Sequence, residues 1–253
     1  MSSNRKPWSY SLEYYVSTGC CNSCVGCSHG APLHNDVIDV ETFRRDVEMM
    51  KDSMDVHRFA LSGGEPLLNP HLVDLIKIAR QSGIAPEVMV LTNGQLLDKM
   101  PEEFWSSLDV LRISIYPGQI TDEQLQRWEE HAKMYSAEFM TIKVGAFYLP
   151  ITKRLRNPRT TWKTFKRCPY FRACSAIFQG RYYPCSQAFF LPEIMEIDPY
   201  VDSLPIEGLT AEKLGEFLSR RRPLESCKRC SYKYEIPWRQ TTRDRWIEES
   251  SIG

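Results

Sequence analysis

The chain has 253 residues, 42% of them hydrophobic, and its 32 basic and 32 acidic side chains cancel to a formal net charge of +0. That length fits one large domain, or a core with a small appendage, and that composition is enough to bury a core. The charge balance argues against a chain that coats nucleic acid or a membrane surface. No apolar run approaches the roughly 18–20 residues of a membrane span. Met1–Pro7 is polar and basic, and no apolar signal stretch follows it, so the cytoplasm is the expected compartment. Nine cysteines, an odd number without an export signal, favour metal ligation over a disulfide framework.

From Ser9 to Phe147, strand and helix patterns alternate. Tyr10–Ser17 reads as a strand with Leu12, Tyr14 and Val16 on one face, and Glu41–Met54 as a helix. Arg58–Leu61 is a short apolar strand ending at Gly63-Gly64. Asn69 stands where it would cap a helix through Leu72, Leu75, Ile76 and Ile78, with Pro70 as its first residue. Val88–Leu91 is a buried strand ending at Asn93-Gly94, and Glu102–Leu108 is helical. Val110–Tyr116 is a strand ending at Pro117-Gly118. Thr121 and Gln124 make a capping-box pattern for a helix over Asp122–Tyr135, and Phe139–Phe147 is the next strand. Five strands alternating with helices predict an α/β fold, with a parallel sheet and its chemistry at the C-terminal strand ends.

After Pro150 the character changes. Lys153, Arg154, Arg156, Arg159, Lys163, Lys166 and Arg167 follow with no acid between them. Then come Cys168, Cys174, a hairpin around Gly180, Cys185, a helix near Ala211–Arg221, and Cys227-x2-Cys230. Two regions are expected: a body over residues 1–150, and a cysteine-bearing region over 151–253 that completes it.

Cys20-x3-Cys24-x2-Cys27 lies in the loop after the first strand, with Cys21 as a bystander. Three thiolates can each hold one iron of a cubane and leave the fourth open. With His29 they also fit a zinc site of three cysteines and one histidine. This loop, followed by Ser62-Gly63-Gly64-Glu65-Pro66 after a second strand, resembles the radical S-adenosylmethionine (SAM) superfamily over about residues 9–150. The resemblance implies a partial (β/α)6 barrel and a [4Fe–4S] cluster on Cys20, Cys24 and Cys27 whose open iron binds SAM. It places Ser62, Gly63, Gly64, Glu65 and Pro66 at the SAM amino group through backbone carbonyls. Asn93 and Ser114, at later strand ends, fall near the ribose and methionine groups, although a plain turn and an ordinary strand serine fit them equally. The family commonly has an aromatic residue just before the third cysteine, near adenine; here that position is Gly26, which leaves adenine to the backbone and His29. The implied chemistry is reductive cleavage of SAM to a 5′-deoxyadenosyl radical that abstracts hydrogen from a substrate.

Cys168, Cys185, Cys227 and Cys230, with Gly180 between the first two, resemble the C-terminal extension of such enzymes in its shortened, or twitch, form. That implies a second, auxiliary [4Fe–4S] cluster saturated by four thiolates, suited to electron transfer. Cys174 is the rival to Cys168, and a four-cysteine zinc site fits the same residues. The cysteine spacing looks like that of 2-deoxy-scyllo-inosamine dehydrogenases. The segment Gly26-Cys27-Ser28-His29 looks, more faintly, like that of cytosylglucuronate decarboxylases.

These likenesses imply a small-molecule substrate of sugar, cyclitol or nucleoside type in natural-product biosynthesis, oxidised at a secondary alcohol or decarboxylated. A peptide-modifying reaction is the other reading; the short leader Met1–Trp8 leaves no room for a peptide-binding domain. The basic stretch is either a solvated connector, a cradle for an anionic or polyhydroxylated substrate, or a docking face for a flavodoxin- or ferredoxin-type electron donor. Lys153 and Arg154 are the candidate catalytic residues, just after the fifth strand. Glu13, Tyr15, Tyr116 and Lys143 are further inward-facing candidates. Outside enzymes, the alternative is a zinc-stabilised binding module.

Overall fold

The computed structural model describes residues 5–253, so Met1–Asn4 of the short leader lie outside the described residues. The first half follows the expected alternation: β1 (Trp8–Ser17), α1 (Val40–Met50), β2 (Asp55–Gly63), α2 (Leu72–Ser82), β3 (Glu87–Thr92), α3 (Glu102–Ser107), β4 (Val110–Ile115), α4 (Asp122–Met134) and β5 (Glu138–Lys143). After it come β6 (Ala146–Tyr148), β7 (Ile151–Thr152), α5 (Pro158–Lys166), β8 (Ala176–Phe178), β9 (Arg181–Tyr183), α6 (Gln187–Ile194), β10 (Leu204–Pro205), α7 (Ala211–Leu218), β11 (Glu235–Pro237), α8 (Arg243–Glu249) and β12 (Ser251–Ile252). No helix among the described residues is long and apolar enough to cross a membrane.

Strands β1 to β5 lie side by side, parallel and in chain order. The two-residue alternation of a strand decides which side chains go where. On one face of β1, Leu12, Tyr14 and Val16 are fully buried in a core shared with Phe43, Val47 and Met50 of α1 and Leu72, Leu75 and Ile76 of α2. On the other face, Ala60, Met89 and Val110 fill the concave side with Leu91 and Met140. Arg58 closes the N-terminal end of that side through ion pairs of 2.5 Å to both Glu87 and Glu138. The opposite end, where the strands finish, is left to polar groups and glycines.

The sixth parallel strand is β8, which joins the free edge of β1; β9 and β10 continue the sheet antiparallel beyond it. The α/β class and the parallel-rich sheet are thus as expected. The hairpin around Gly180 is also present, with Gln179 and Gly180 both at positive φ (44° and 73°), the geometry of a tight primed turn. Thr121 and Gln124 form the expected capping box.

Two local expectations fail. Asn69 does not cap α2, which starts at Leu72. It is buried, donates to the Val16 and Ile38 carbonyls at 2.8 and 3.1 Å, and accepts from His71 N. A buried amide surrounded by orphan backbone groups satisfies those first. The strand expected over Phe139–Phe147 is two strands. It breaks after Lys143, and β6 leaves the main sheet to pair with β11 from the chain's far end.

Asp46 of α1 ties the C-terminal region to the body. Its buried carboxylate accepts from Tyr14 Oη and from the Gly180 amide, both at 2.7 Å, and pairs with Arg45. Removing it leaves the buried Tyr14 hydroxyl and the half-buried Gly180 amide unpaired. Asp46→Ala should therefore cost roughly 2–4 kcal/mol, read as a lowered urea midpoint with little change in slope.

Candidate active site

The loop between β1 and α1 carries the first three cysteines and has little regular structure of its own. Inside it, Cys27 N donates to Cys24 O at 3.2 Å and Gly30 N to Cys27 O at 3.3 Å. Asn22 N also donates to Cys20 Sγ at 3.4 Å, and further support comes from elsewhere in the chain. Gly64 N donates to Ser17 O, and Glu65 N to Gly19 O, each at 2.8 Å. A Cβ on Gly63 would stand 2.1 Å from Ser17 O, and one on Gly64 would stand 2.2 Å from Gly19 O. Only glycines permit this approach, and Gly63 also holds φ +122°, a region L side chains rarely adopt.

The other side of the loop is held by the C-terminal segment. Val25 N donates to Arg239 O at 3.0 Å, Thr241 N to Ser23 O at 2.8 Å, and Gly26 N to Ser250 Oγ at 3.0 Å. Fully buried Trp246 donates its indole N–H to Cys24 O at 2.9 Å. Trp238 donates its own to Cys24 Sγ at 3.1 Å. Burial pushes the Cys24 thiol up to about 12, and the Trp238 N–H works the other way, favouring the thiolate.

The thiols of Cys20, Cys24 and Cys27 open on one cavity of about 240 Å³ at the C-terminal ends of β1 to β5. Ser62, Gly63, Gly64, Asn93 and Ser114 line it, as the motif reading expects of them. Glu65 and Pro66 do not. Glu65 lies fully buried behind the wall, where its carboxylate accepts from Thr92 Oγ1 (2.6 Å), Asn93 N (2.8 Å) and Leu67 N (3.1 Å). It fixes the end of β3 against the end of β2, and so aims Asn93, whose amide donates to Cys21 Sγ at 3.1 Å. Cys21 is exposed and outside the cavity, in keeping with a bystander.

Residues that sequence reasoning missed or left as guesses complete the wall. Arg112 lines it two residues before Ser114 on β4, so the two-residue alternation could have found it. Glu13 accepts from Ser62 Oγ at 2.7 Å and meets His29 Nε2 at 3.3 Å. Burial opposes its charge, but His29, Ser62 and Arg112 together hold its carboxyl below the usual range. His29, the possible fourth zinc ligand, is thus engaged by Glu13.

Phe147 and Tyr116 stack at 6.2 Å and both face the cavity. A Cβ on Gly26 would sit 3.1 Å from Phe147 Cβ, so the ring delivered by β6 occupies the space beside the residue where the family commonly has an aromatic. No local pattern announces this, because Phe147 is 121 residues away in sequence (147 minus 26). Tyr15 is buried with its hydroxyl unpartnered, and Lys143 is exposed. Lys153 and Arg154, expected at the mouth, are exposed and line neither this cavity nor its neighbour. Pairing of β7 with β12, reinforced by Lys153 N to Ile252 O at 2.8 Å, holds them on the outside.

Cys185, Cys230 and, partly buried, Cys227 belong to a second core with Tyr15, Trp246 and Phe190, against which Cys27 of the first set also packs. Cys185, Cys227 and Cys230 are each pushed up by burial, Cys227 to about 12, and each is affected by Cys168. Cys174 is also pushed up, to about 11, by burial and then by Glu13 and Cys168. It lines a neighbouring cavity of about 250 Å³ that also contains Glu13, Ser28, His29 and Phe147. Among the described residues, no three His, Cys, Asp or Glu side chains converge on a single point as a one-ion site requires. A cubane makes a different demand: one thiolate at each of several irons, arranged around a body and not about a point.

A family model described as the radical SAM superfamily matches residues 14–168. This chain belongs to the radical SAM superfamily. The superfamily's SAM and [4Fe–4S] cluster fit the first cavity: three thiols open on it, a donor already aims at one sulfur, and two glycines expose backbone beside it. Among relatives, a GTP 3′,8-cyclase of Chlorobaculum tepidum is 32% identical over 102 residues, which cover 40% of this chain and 31% of the cyclase. An S-adenosylmethionine-dependent nucleotide dehydratase of Selenomonas ruminantium is 26% identical over 109 residues, covering 42% of this chain and 39% of the dehydratase. The chain therefore matches less than two fifths of either relative's length. The solved structure of anSMEcpe with bound AdoMet covers 83% of this chain and 80% of its own, with TM-score 0.56 and 16% identity, a likeness of fold.

Trp238 offers a direct test of how the radical SAM cluster is tuned. Hydrogen bonds to cluster sulfurs stabilise the more negative, reduced state. Trp238→Phe should lower the midpoint potential of the SAM-site cluster by roughly 20–60 mV, the size of one hydrogen bond in a one-electron couple. Potentiometric titration followed by electron paramagnetic resonance reads this without turnover. An unchanged potential would show that the indole only packs.

Proposed function

We propose that the chain is a radical SAM oxidoreductase that abstracts hydrogen from a sugar-, cyclitol- or nucleoside-type substrate and oxidises a secondary alcohol. The observation that carries this reading is the pair of adjoining cavities. One opens on Cys20, Cys24 and Cys27, the other on Cys174 beside the second cysteine set, and Glu13, Ser28, His29 and Phe147 stand between them. When bound in the first cavity, the cluster and SAM supply a 5′-deoxyadenosyl radical. The chain's own residues supply the rest. Phe147 and Tyr116 offer a flat apolar face for adenine, in place of the aromatic residue missing at Gly26. Ser62, Asn93, Arg112 and Ser114 offer polar contacts to the remainder of SAM.

Glu13, ionised at neutral pH, is the base candidate that the position of Lys153 and Arg154 leaves open. The reaction balances when the alcohol carbon loses a hydrogen atom, the hydroxyl loses a proton to Glu13, and one further electron leaves. Cys168, Cys185, Cys227 and Cys230 would hold the auxiliary [4Fe–4S] cluster that accepts that electron; burial disfavours charge on Cys185, Cys227 and Cys230, which suits a cationic cluster among them. Exposed Lys153, Arg154, Arg159 and Lys163 suit the docking of an acidic flavodoxin- or ferredoxin-type donor. The relatives' names, a cyclase and a dehydratase acting on nucleotides, favour a second reading, in which the reaction is redox-neutral.

Iron content tests the cysteine assignments. Anaerobically reconstituted protein should bind about eight irons, two cubanes. Cys20/Cys24/Cys27→Ala should keep about half of them and lose SAM cleavage. Cys168→Ala should lose the other half, and Cys174→Ala should lose little. Zinc in place of iron, in normally folded protein, would end the reading. A four-iron protein would leave only the first cluster.

The net reaction is read from the products. With substrate deuterated at the alcohol carbon, oxidation puts deuterium into 5′-deoxyadenosine, consumes one SAM per turnover and leaves a ketone with its carbon skeleton intact. Released carbon dioxide or water, or a modified peptide, would replace the dehydrogenase assignment.

A further inference from the structure

The cavity beside the SAM site has a chemistry of its own. Its polar wall consists of Glu13, Ser28, His29, Gln187 and Ser231, and its apolar wall of Phe147, Tyr170 and Tyr232. No Lys or Arg among the described residues lines it; Arg112 belongs to the SAM cavity and is drawn toward Glu13. The start of α6 forms part of the wall at Ser186 and Gln187, yet it is no anion cradle. Ala188 N is already committed to Cys185 O and Phe189 N to Ser186 O, each at 3.1 Å. A phosphoryl group taken out of water needs a free cation or several free N–H donors, and here His29, the wall residue able to carry positive charge, is already paired with the Glu13 carboxylate at 3.3 Å.

Ser231 points to what the cavity does take. It is 1% exposed, lines the cavity, and its hydroxyl has no hydrogen-bond partner in the protein. Such a group is costly to bury unless something arrives to bond it. Aromatic walls suit the C–H face of a ring, and the polar groups suit its hydroxyls. At about 250 Å³ the cavity lies below the roughly 300–1,000 Å³ of pockets that take drug-sized ligands, which is room for one ring.

We infer that this second cavity is the substrate chamber and selects an uncharged, hydroxyl-bearing single ring, rejecting phosphorylated substrates, nucleotides included. The inference rests on the radical SAM oxidoreductase reading above and narrows it. It also separates this chain from the two relatives named for GTP and nucleotides, whose likeness covers less than half of the chain.

The test uses anaerobically reconstituted holoenzyme with SAM, and saturation-transfer NMR with calorimetry. The probes are myo-inositol, D-glucose and methyl glucoside against myo-inositol 1-phosphate, glucose 6-phosphate and GTP. At least one uncharged ring should bind, with its phosphorylated partner at least tenfold weaker and GTP undetected. Ser231→Ala removes a hydroxyl without a protein partner, so folding should survive, and should weaken the bound ring about tenfold while leaving SAM affinity unchanged. Gln187→Leu, at the start of α6, should do the same. Equal or tighter binding of a phosphorylated probe overturns the inference, as does no binding by any uncharged ring, or no effect of either variant. Substrate-free cleavage of SAM to 5′-deoxyadenosine is assayed in parallel. If cleavage persists and no ring binds, the chamber assignment alone fails. If a ring binds with the expected selectivity and cleavage is absent, the radical reading alone fails.

Discussion

The three thiols that define this protein sit on a loop that cannot hold itself. Around the cysteines themselves its internal backbone bonds, Cys27 N to Cys24 O and Gly30 N to Cys27 O at 3.2 and 3.3 Å, are too few to fix three sulfur positions. The loop is instead gripped between two partners. The turn Gly63-Gly64 comes from its neighbour strand and approaches so closely that a single Cβ would break the contact. The segment from Arg239 to Ser250 comes from more than 200 residues downstream and closes the other side. The three-thiol site is therefore a product of the whole chain folding, although its cysteines fall within eight residues of one another. This also explains why Trp246, fully buried and bonded to Cys24 O, lies so close to the end of a chain whose functional motifs are near the start.

Much of this was legible in the sequence, for a definable reason. Strand alternation, caps and the two motifs are local patterns, and local patterns survive in a sequence read alone. Leu12, Tyr14 and Val16 face the core as alternation requires, and Gly63 and Gly64 stand where close backbone approach needs them. What was not legible is long-range. Nothing near Gly26 signals that Phe147 will fill its flank, and nothing near Trp238 signals a sulfur 214 residues away. Asn69 misled for the opposite reason. It has a capping residue's chemistry, but the Val16 and Ile38 carbonyls offered it a buried alternative. Lys153 and Arg154 misled because position after a strand says nothing about direction once β7 turns to pair with β12.

Burial sets the electrostatics at both cysteine sets. Desolvation disfavours charge, so thiols packed together are held protonated unless a positive group joins them. That holds for Cys24 at the first set and for Cys185, Cys227 and Cys230 at the second. Glu13 is the counterexample, a buried carboxyl kept ionised because His29, Ser62 and Arg112 outweigh its desolvation. The site thus contains one group kept charged among several that burial keeps neutral.

The register of one strand pair determines how these parts meet. β8 joins β1 with Ala176 opposite Glu13 and Ile177 opposite Tyr14. Glu13 faces the cavities, while Tyr14 faces the core and bonds Asp46. Cys174 lies two residues before β8, and Cys185 two residues after β9 ends. The same pairing therefore sets where both stand relative to the loop that leaves β1 toward Cys20. A slip of one residue in β8 would turn Ile177 out of the main core and Ala176 and Phe178 toward it, and would misplace the second cysteine set against the first. Such a slip is opposed from both sides of the sheet: Asp46 holds the hairpin through the Gly180 amide, and Tyr15 packs at 5.4 Å against Phe189 of α6. The distance between the two cysteine sets is thus fixed by sheet geometry, not by the basic segment that precedes the second set in sequence, and sheet geometry is rigid enough to keep Glu13 between them.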